Sequence, residues 1–221
     1  MNRNVYSLIL PDNVVDAVDK LACERGTSRS GLINQILAEY LSCPIPETRI
    51  HDVFSHLEKL TDGLENFQFQ ELPGEFTVSI RSVLHYRYRP TVHYTLELYR
   101  DCEPFLGELR ASFRTQNSSL LELSEAFFLF WESLEERWTA RQFPEGKIPC
   151  TTGPGRYTRR LQCPQNQQDC TGEPMAQAIL CYIREFDYAL KKYCVGTESP
   201  ETTKWQIETH YLHYLEKAVI L

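Results

Sequence analysis

The first 43 residues change from a strand-like run to two helical repeats of apolar positions. Val5–Leu10 has the composition of a short β-strand, and Pro11 ends it where a helix can begin. Gly26 is typical of a helix stop, and Thr27 or Ser28 can cap a second helix. The pattern therefore predicts a strand followed by two helices. The apolar stripes contain Val14, Val18, Leu21 and Ala22 in the first helix, and Leu32, Ile33, Ile36, Leu37 and Tyr40 in the second.

Two prolines, Pro44 and Pro46, end this pattern, because proline lacks the backbone donor that a continuing helix needs. Residues 44–73 are interpreted as a linker. Within it, apolar positions recur at helical spacing from about Thr48 to Phe67 and predict one connecting helix. The chain is therefore expected to divide into residues 1–43, the linker 44–73 and a larger domain, 74–221.

The larger domain begins with alternating strands and finishes with helices. Apolar and polar residues alternate in three runs, and Asn117 or Ser118 can cap the long helix that follows. This order indicates an α+β fold with a mostly antiparallel sheet. Residues 141–173, rich in Gly, Pro and Gln, are expected to be irregular. The predicted strands lie at about 76–81, 92–98 and 108–115, and the predicted helices at about 118–138, 174–193 and 199–219.

Composition limits the classes of function. The chain of 221 residues carries 23 Lys and Arg against 30 Asp and Glu, a net charge of −7. A field of that sign does not attract nucleic acid, so any DNA binding must be local. No apolar run is long enough to span a membrane, and we expect a cytoplasmic protein whose eight cysteines are reduced.

A strand and two helices of this length cannot form a stable unit alone. A lone strand leaves its backbone hydrogen-bonding groups unpaired, and so short a segment buries too little apolar surface to offset chain entropy. Two copies that pair their strands antiparallel about a two-fold axis would solve both problems. The resulting two-stranded ribbon fits the major groove of DNA.

The residues of this segment resemble a known family. The run Leu10-Pro11-Asp12, the helical apolar positions and the run Gly26-Thr27-Ser28-Arg29-Ser30 are similar to those of ribbon-helix-helix DNA-binding proteins of the Arc, MetJ and CopG type. The resemblance covers about 40 of the 221 residues. It implies a swapped dimer whose ribbon enters the major groove and whose second helices each grip a phosphate at their N-terminus.

The resemblance also assigns roles to individual positions. It places Val5, Ser7 and Ile9 on the face toward the DNA bases, with Arg3 and Asn4 as accessory contacts. Base edges are read there by hydrogen bonds and apolar contacts. The phosphate contact falls on Thr27, Ser28, Arg29 and Ser30, and the dimer core on Tyr6, Leu8, Leu10, Val14, Val18, Leu21, Leu32, Ile33, Ile36, Leu37 and Tyr40.

Two features depart from the pattern of that family. Only Ser7 among the three base-facing side chains can hydrogen-bond to a base, so Val5 and Ile9 contact either thymine methyl groups or a surface that is not DNA. Residues 1–45 contain four basic and five acidic side chains, a net charge of −1, which is low for a DNA-binding segment. We therefore expect weak binding per dimer, strengthened by tandem sites or a higher oligomer.

The larger domain offers candidate groups without a specific motif. Basic residues on its predicted strands suit either an acidic ligand or a solvated sheet face, and tyrosines among them, such as Tyr94, suit either base stacking or strand packing. These basic residues are Arg81, His85, Arg87, Arg89, His93, Arg110 and Arg114.

The candidate metal ligands and catalytic residues of the larger domain also match no specific motif. The spacings of Cys150, Cys163 and Cys170 match no common zinc site, although a zinc site or a redox-sensing thiol is a minor alternative. His210 and His213 lie three residues apart but lack the glutamate of a zinc-protease motif. No nucleophile and base pair stands out. The sequence predicts no cofactor, no metal site and no enzymatic activity.

We expect a homodimer or higher oligomer that binds double-stranded DNA at a palindromic operator and acts as a transcriptional repressor, without a membrane partner. Its fold is α+β, with a ribbon-helix-helix dimer at the N-terminus and an antiparallel sheet with helices after it. The larger domain is open to a protein or small-molecule effector. The alternative is an interaction protein, antitoxin-like or a plasmid-maintenance adaptor, that uses the N-terminal segment only to dimerise.

Overall fold

The computed structural model describes residues 7–41, 46–72, 76–84, 86, 89–101, 104–113, 115, 117–143, 145–163, 172–196 and 198–221. The chain forms two compact units that divide between residues 49 and 50. The described part of the first unit is helical, and the second unit combines a sheet with helices.

The first unit contains two helices, α1 (Asp12–Glu24) and α2 (Arg29–Tyr40). Pro11 precedes α1 directly, and its carbonyl oxygen accepts the first backbone hydrogen bonds of the helix. Proline suits this position, because its fixed φ leads into the helix. Ala22 of α1 and Leu32 of α2 are buried. Both helices lie where the apolar repeats predict them.

Ser7–Leu10 is the part of the predicted strand that the structure describes, and it lies in neither a helix nor a strand. A β-ladder requires a neighbouring strand, and one copy offers none within residues 7–41. Pairing of this segment with a second copy stays a prediction.

The second unit is built on a six-stranded sheet in which every neighbouring pair is antiparallel. The strands are β1 (Phe67–Glu71), β2 (Thr77–Val83), β3 (Thr91–Leu98), β4 (Phe105–Phe113), β5 (Cys150–Gly153) and β6 (Arg156–Gln162). Their order in the sheet is β1-β2-β3-β4-β6-β5. With the helices that follow, this sheet confirms the predicted α+β fold.

Four longer helices accompany the sheet in the described part of this unit. They are α3 (Pro46–Thr61, of which residues from Ile50 belong to this unit), α4 (Ser118–Trp138), α5 (Gly172–Val195) and α6 (Pro200–Leu215). Asn117 caps α4 by accepting a hydrogen bond from the Leu120 N–H at 3.2 Å, and Ser199 caps α6 in the same way from Thr202 at 3.2 Å. These caps fix where the two helices begin.

The sheet buries one face against the helices and leaves the other face open. Every second side chain of β3 from Val92 to Leu98 is buried, while those between them are partly or fully exposed. On the helix side, Phe127 and Trp131 of α4 are fully buried, and their rings lie 5.3 and 5.2 Å from that of Phe186 on α5. The aromatic side chains of Phe127 and Trp131 therefore belong to the hydrophobic core.

The expectation that residues 141–173 are irregular is wrong. β5 and β6 form a hairpin whose two-residue turn is Pro154-Gly155, with Gly155 at φ +63°, a value that favours glycine. The alternation along β6 is hidden in the sequence because one of its inward-facing residues is charged. The buried residues of β6 are Tyr157, Arg159 and Leu161.

A second correction concerns residues 62–71. The helix predicted to reach Phe67 ends at Thr61, and Phe67 is instead the first residue of β1. Phe67 and Phe69 pack against the core, whereas Gln68 faces away from it. A five-residue edge strand is too short to be recognised after a helical repeat.

Arg159, the charged residue on the inward face of β6, forms an ion pair with a carboxylate inside the core. Arg159 is 2% exposed, Glu135 of α4 is fully buried, and Arg159 Nε lies 3.1 Å from Glu135 Oε1. Tyr157 donates a hydrogen bond to Glu135 Oε2 at 2.8 Å, and the rings of Tyr182 and Phe143 lie 4.6 and 5.3 Å from the guanidinium carbon. Burial raises the pKa of the Glu135 carboxyl, so the attraction of Arg159 does not fully offset the loss of water.

Glu135→Gln is expected to destabilise the second unit by about 3–5 kcal/mol, because it leaves the buried Arg159 without a counter-ion. Replacing both partners, in Glu135→Leu/Arg159→Met, should cost less than that single change, since no charge then remains buried. Urea unfolding followed by tryptophan fluorescence measures both. A single variant that unfolds at the wild-type midpoint would contradict this account of the core.

Candidate nucleic-acid interface

The start of α2 presents a capped helix end to solvent. Ser28 Oγ accepts a hydrogen bond from the Gly31 N–H at 3.1 Å. A Cβ at Gly31 would lie 2.8 Å from Thr27 Oγ1, so glycine permits this close turn. The N–H groups of Arg29 and Ser30 lie in the first turn, ahead of any carbonyl that the helix supplies. Exposed donors of this kind at a helix N-terminus suit an anionic oxygen.

The guanidinium of Arg29 is engaged by a carboxylate of α1. Arg29 Nε lies 2.5 Å from Asp19 Oδ1, and Arg29 Nη2 donates to Asp19 Oδ2. These hydrogen bonds hold the pKa of Asp19 below its usual value and raise the pKa of Arg29. An arginine binds phosphate with the same two-pronged geometry, so Asp19 takes the place that two phosphate oxygens would occupy.

Sequence reasoning missed this role of Asp19. Its position along α1 allows it to face water, and its partner lies ten residues later, beyond the turn between the helices. Sequence spacing reveals an ion pair only when its two residues lie three or four positions apart in one helix. Asp19 and Arg29 lie in different helices, so their spacing does not predict the pair. A phosphate that uses the same two nitrogens of Arg29 would have to displace the carboxylate of Asp19.

The residues predicted to form the dimer core are largely exposed in one copy. Leu32 is buried, whereas Leu10, Val18, Leu21 and Ile33 are only half-buried. The exposed members are Leu8 at 60%, Val14 at 39%, Ile36 at 43%, Leu37 at 47% and Tyr40 at 87%. Large apolar side chains left in water in this number mark a surface that another molecule covers.

Only part of the predicted base-reading face can be located. Arg3, Asn4, Val5 and the core residue Tyr6 lie outside the described residues. Ser7 is exposed, and Ile9 is 101% exposed. Their contact with DNA stays a prediction.

Several of the basic residues predicted for the larger domain do share one face of its sheet. Arg81, His93 and Arg110 lie on the open face of β2, β3 and β4, and Arg89 lies in the connection between β2 and β3. Sequence reasoning missed Arg156 and Arg160, which lie on the same face of β6, because it predicted no strand there. The residues His85, Arg87 and Arg114 lie outside the described part.

Tyr94 packs in the core and offers no stacking surface to a ligand. It is buried and donates a hydrogen bond to Asp187 Oδ1 on α5 at 2.8 Å. The hydroxyl of Ser82 and the ammonium of Lys191 lie 3.0 and 2.7 Å from Asp187 Oδ2. This polar cluster ties β2 and β3 to α5.

The histidines of α6 do not converge on one site. His210 Nδ1 lies 2.8 Å from Glu185 Oε1, and its ring stacks on Tyr188 with centroids 4.1 Å apart. His213 Nδ1 lies instead 3.0 Å from Glu216 Oε2. Each histidine therefore has its own carboxylate partner.

The cysteines that the structure describes form no assembled site. Burial raises the pKa of the Cys150 thiol to about 12, which disfavours the reactive thiolate. Cys163 is half-buried, and Cys170 lies outside the described residues. Across the ranges that the structure describes, no three His, Cys, Asp or Glu residues come close enough to hold a metal ion.

Comparison with known proteins bears on the first unit. Residues 7–42 match the family model of the ribbon-helix-helix protein, copG family, which confirms the resemblance predicted from the sequence. No curated protein and no solved structure matches the chain. Among the described helices, none is long and apolar enough to cross a membrane. The N-terminal segment thus carries the signature of a family of DNA-binding or dimerising regulators.

Proposed function

We propose that this protein is a transcriptional regulator that binds a palindromic DNA operator as a homodimer. The single observation that carries the proposal is the exposure of large apolar side chains in a segment that matches the CopG-type family. Two copies would cover these side chains and pair their N-terminal strands, and the resulting ribbon would enter the major groove.

Phosphate contacts at the start of α2 would hold the ribbon in place. The N–H groups of Arg29 and Ser30, with the guanidinium of Arg29, provide donors for one phosphate in each copy. Such contacts set the position of the dimer on DNA but carry no sequence information. Sequence would be read by the exposed strand face, to which Ser7 contributes a hydroxyl.

A second function is favoured by one specific observation. Ile9 lies on the face of the N-terminal strand that the family resemblance places toward the DNA bases. Its side chain is apolar and 101% exposed. A face with that chemistry also suits a protein partner, as in an adaptor that uses the segment only to dimerise. The two functions differ in their dependence on salt and on Arg29.

Leu37→Asp is expected to dissociate the dimer, because it places a charge where an apolar side chain would be buried. Burial of a leucine contributes about 1.5–3 kcal/mol, and a dimer contains two, so the dissociation constant should rise at least about a hundredfold. Sedimentation velocity across the micromolar range measures this change. The matched control Asn34→Asp adds the same charge at an exposed polar position of α2. Equal dissociation of both variants would contradict the assignment of this surface.

A double-mutant cycle at Asp19 and Arg29 tests the phosphate contact. Asp19→Asn should tighten DNA binding and steepen the dependence of log K on log salt by about 1.8, because Arg29 is released for one phosphate in each of the two copies. Arg29→Ala should weaken binding at least about tenfold, since it removes a charged hydrogen bond and leaves the Asp19 carboxylate unpaired. Fluorescence anisotropy with a duplex that the protein selects from random-sequence DNA measures these affinities.

The double variant Asp19→Asn/Arg29→Ala should bind more tightly than Arg29→Ala alone, because the unpaired carboxylate is gone. Lys20→Ala, an exposed charge change on α1, is the control and should weaken binding less than Arg29→Ala. A stable dimer that binds no duplex at low salt would overturn the regulatory function and favour the adaptor. Equal affinities throughout the cycle would exclude the start of α2 as the phosphate contact.

A further inference from the structure

The open face of the sheet in the second unit is organised in rows that run across the strands. The register of the strand pairs sets side by side residues that lie on the same face. The row nearest the β2–β3 connection contains Val83, which is exposed, and Thr91, and we call the next two rows the basic rows. The first contains Gln68, Arg81, His93, Ser112, Arg156 and Gly153, and the second contains Gln70, Ser79, Thr95, Arg110, Thr158 and Thr151.

The charges on this face are segregated. The two basic rows together contain three arginines, one histidine and no carboxylate. The carboxylates of Glu97 and Glu108 lie opposite each other in the next row, where Glu108 also pairs with Arg160 of β6. Glu108 Oε1 lies 2.7 Å from Arg110 Nη2, so Arg110 is already partly neutralised. In a chain with a net charge of −7, the first basic row is a local concentration of positive charge.

Arg81 and Arg156 are the residues of these rows best placed to bind an anion. Arg81 is half-buried: its Nη2 donates a hydrogen bond to Gln70, and its Nε is buried without a hydrogen-bond partner among the described residues. Arg156 is exposed, and no ion pair links it to any residue that the structure describes. Three strand spacings separate the two residues, which corresponds to about 14 Å.

The residue types in the basic rows indicate which class of macromolecule this face can bind. They contain no Phe, Tyr or Trp and no aliphatic side chain, so they lack the anchors typical of protein interfaces. For the same reason they lack the aromatic platform on which single-stranded bases stack. Hydroxyl, amide and guanidinium groups without stacking groups suit the phosphate oxygens of a duplex backbone.

We propose that the open sheet face of the second unit contacts the phosphate backbone of duplex DNA through Arg81 and Arg156. This inference rests on the proposed function of the first unit, which brings duplex DNA to the same molecule. Because the two units are covalently joined, DNA held by the first is present at high effective concentration near the second. The sheet then adds affinity that does not depend on sequence, which the weakly charged N-terminal segment lacks.

The test compares the full-length protein with Arg81→Gln/Arg156→Gln on a labelled 40-bp duplex of random sequence, at a series of KCl concentrations. The loss of two phosphate contacts in each copy, four in the dimer, should weaken binding at least about tenfold and reduce the slope of log K against log salt by about 3.6. Arg184→Gln/Lys217→Gln is the matched control, because it removes the same charge from exposed positions outside the sheet and should leave the slope unchanged. Arg81→Lys/Arg156→Lys should keep the slope, which shows that a loss in the glutamine variant comes from charge and not from misfolding.

The outcomes separate this inference from the proposed function. Loss of binding in Arg29→Ala together with wild-type binding in Arg81→Gln/Arg156→Gln would leave the function of the first unit intact and overturn the role of the sheet. The reverse result would support the sheet contact and overturn the ribbon-helix-helix contact. Stronger competition by single-stranded DNA than by duplex would overturn the assignment of the sheet to a duplex backbone.

Discussion

A β-strand without a neighbour leaves its backbone donors and acceptors to water, and this constraint governs how the N-terminal unit can be used. One copy has no partner for Ser7–Leu10 within residues 7–41, and the side chains of Leu37 and Tyr40 remain in contact with solvent. Helix propensity alone does not hold so short a unit together. In the proposed dimer, a second copy would supply both the missing strand and the missing apolar cover, so dimerisation would also build the DNA-binding ribbon.

The second unit faces no such constraint, because its sheet has covered one face with its own helices. Its core is sufficiently closed that Arg159 and Glu135 meet inside it with aromatic rings on either side. The opposite face carries mainly hydroxyl, amide and guanidinium groups. The alternation of β-strand side chains therefore separates the core face of the sheet from the face that we propose contacts DNA.

The sequence was sufficient to predict elements with long, regular patterns and insufficient for those whose pattern is interrupted. α4 begins at a predicted cap, α6 begins close to its predicted start, and β3 follows its predicted alternation, because its apolar residues face one way. β6 escaped prediction since Arg159 stands at a core position, and only its pairing with Glu135 makes that position tolerable. The start of α2 could be recognised from its residues. The ion pair between Arg29 and Asp19 could not, because it depends on how α1 and α2 pack against each other, which local sequence spacing does not encode.

The lengths of the outer strands bear on how copies of the chain recognise one another. β1 has five residues and β5 has four, whereas the inner strands have seven to nine. Short outer strands, one of them followed directly by a Pro-Gly turn, offer little backbone for a foreign strand to extend the sheet. Unwanted edge-to-edge aggregation through the larger unit is thereby discouraged. In the proposed dimer, which pairs its N-terminal strands, the strands of the larger unit would therefore not compete for that role.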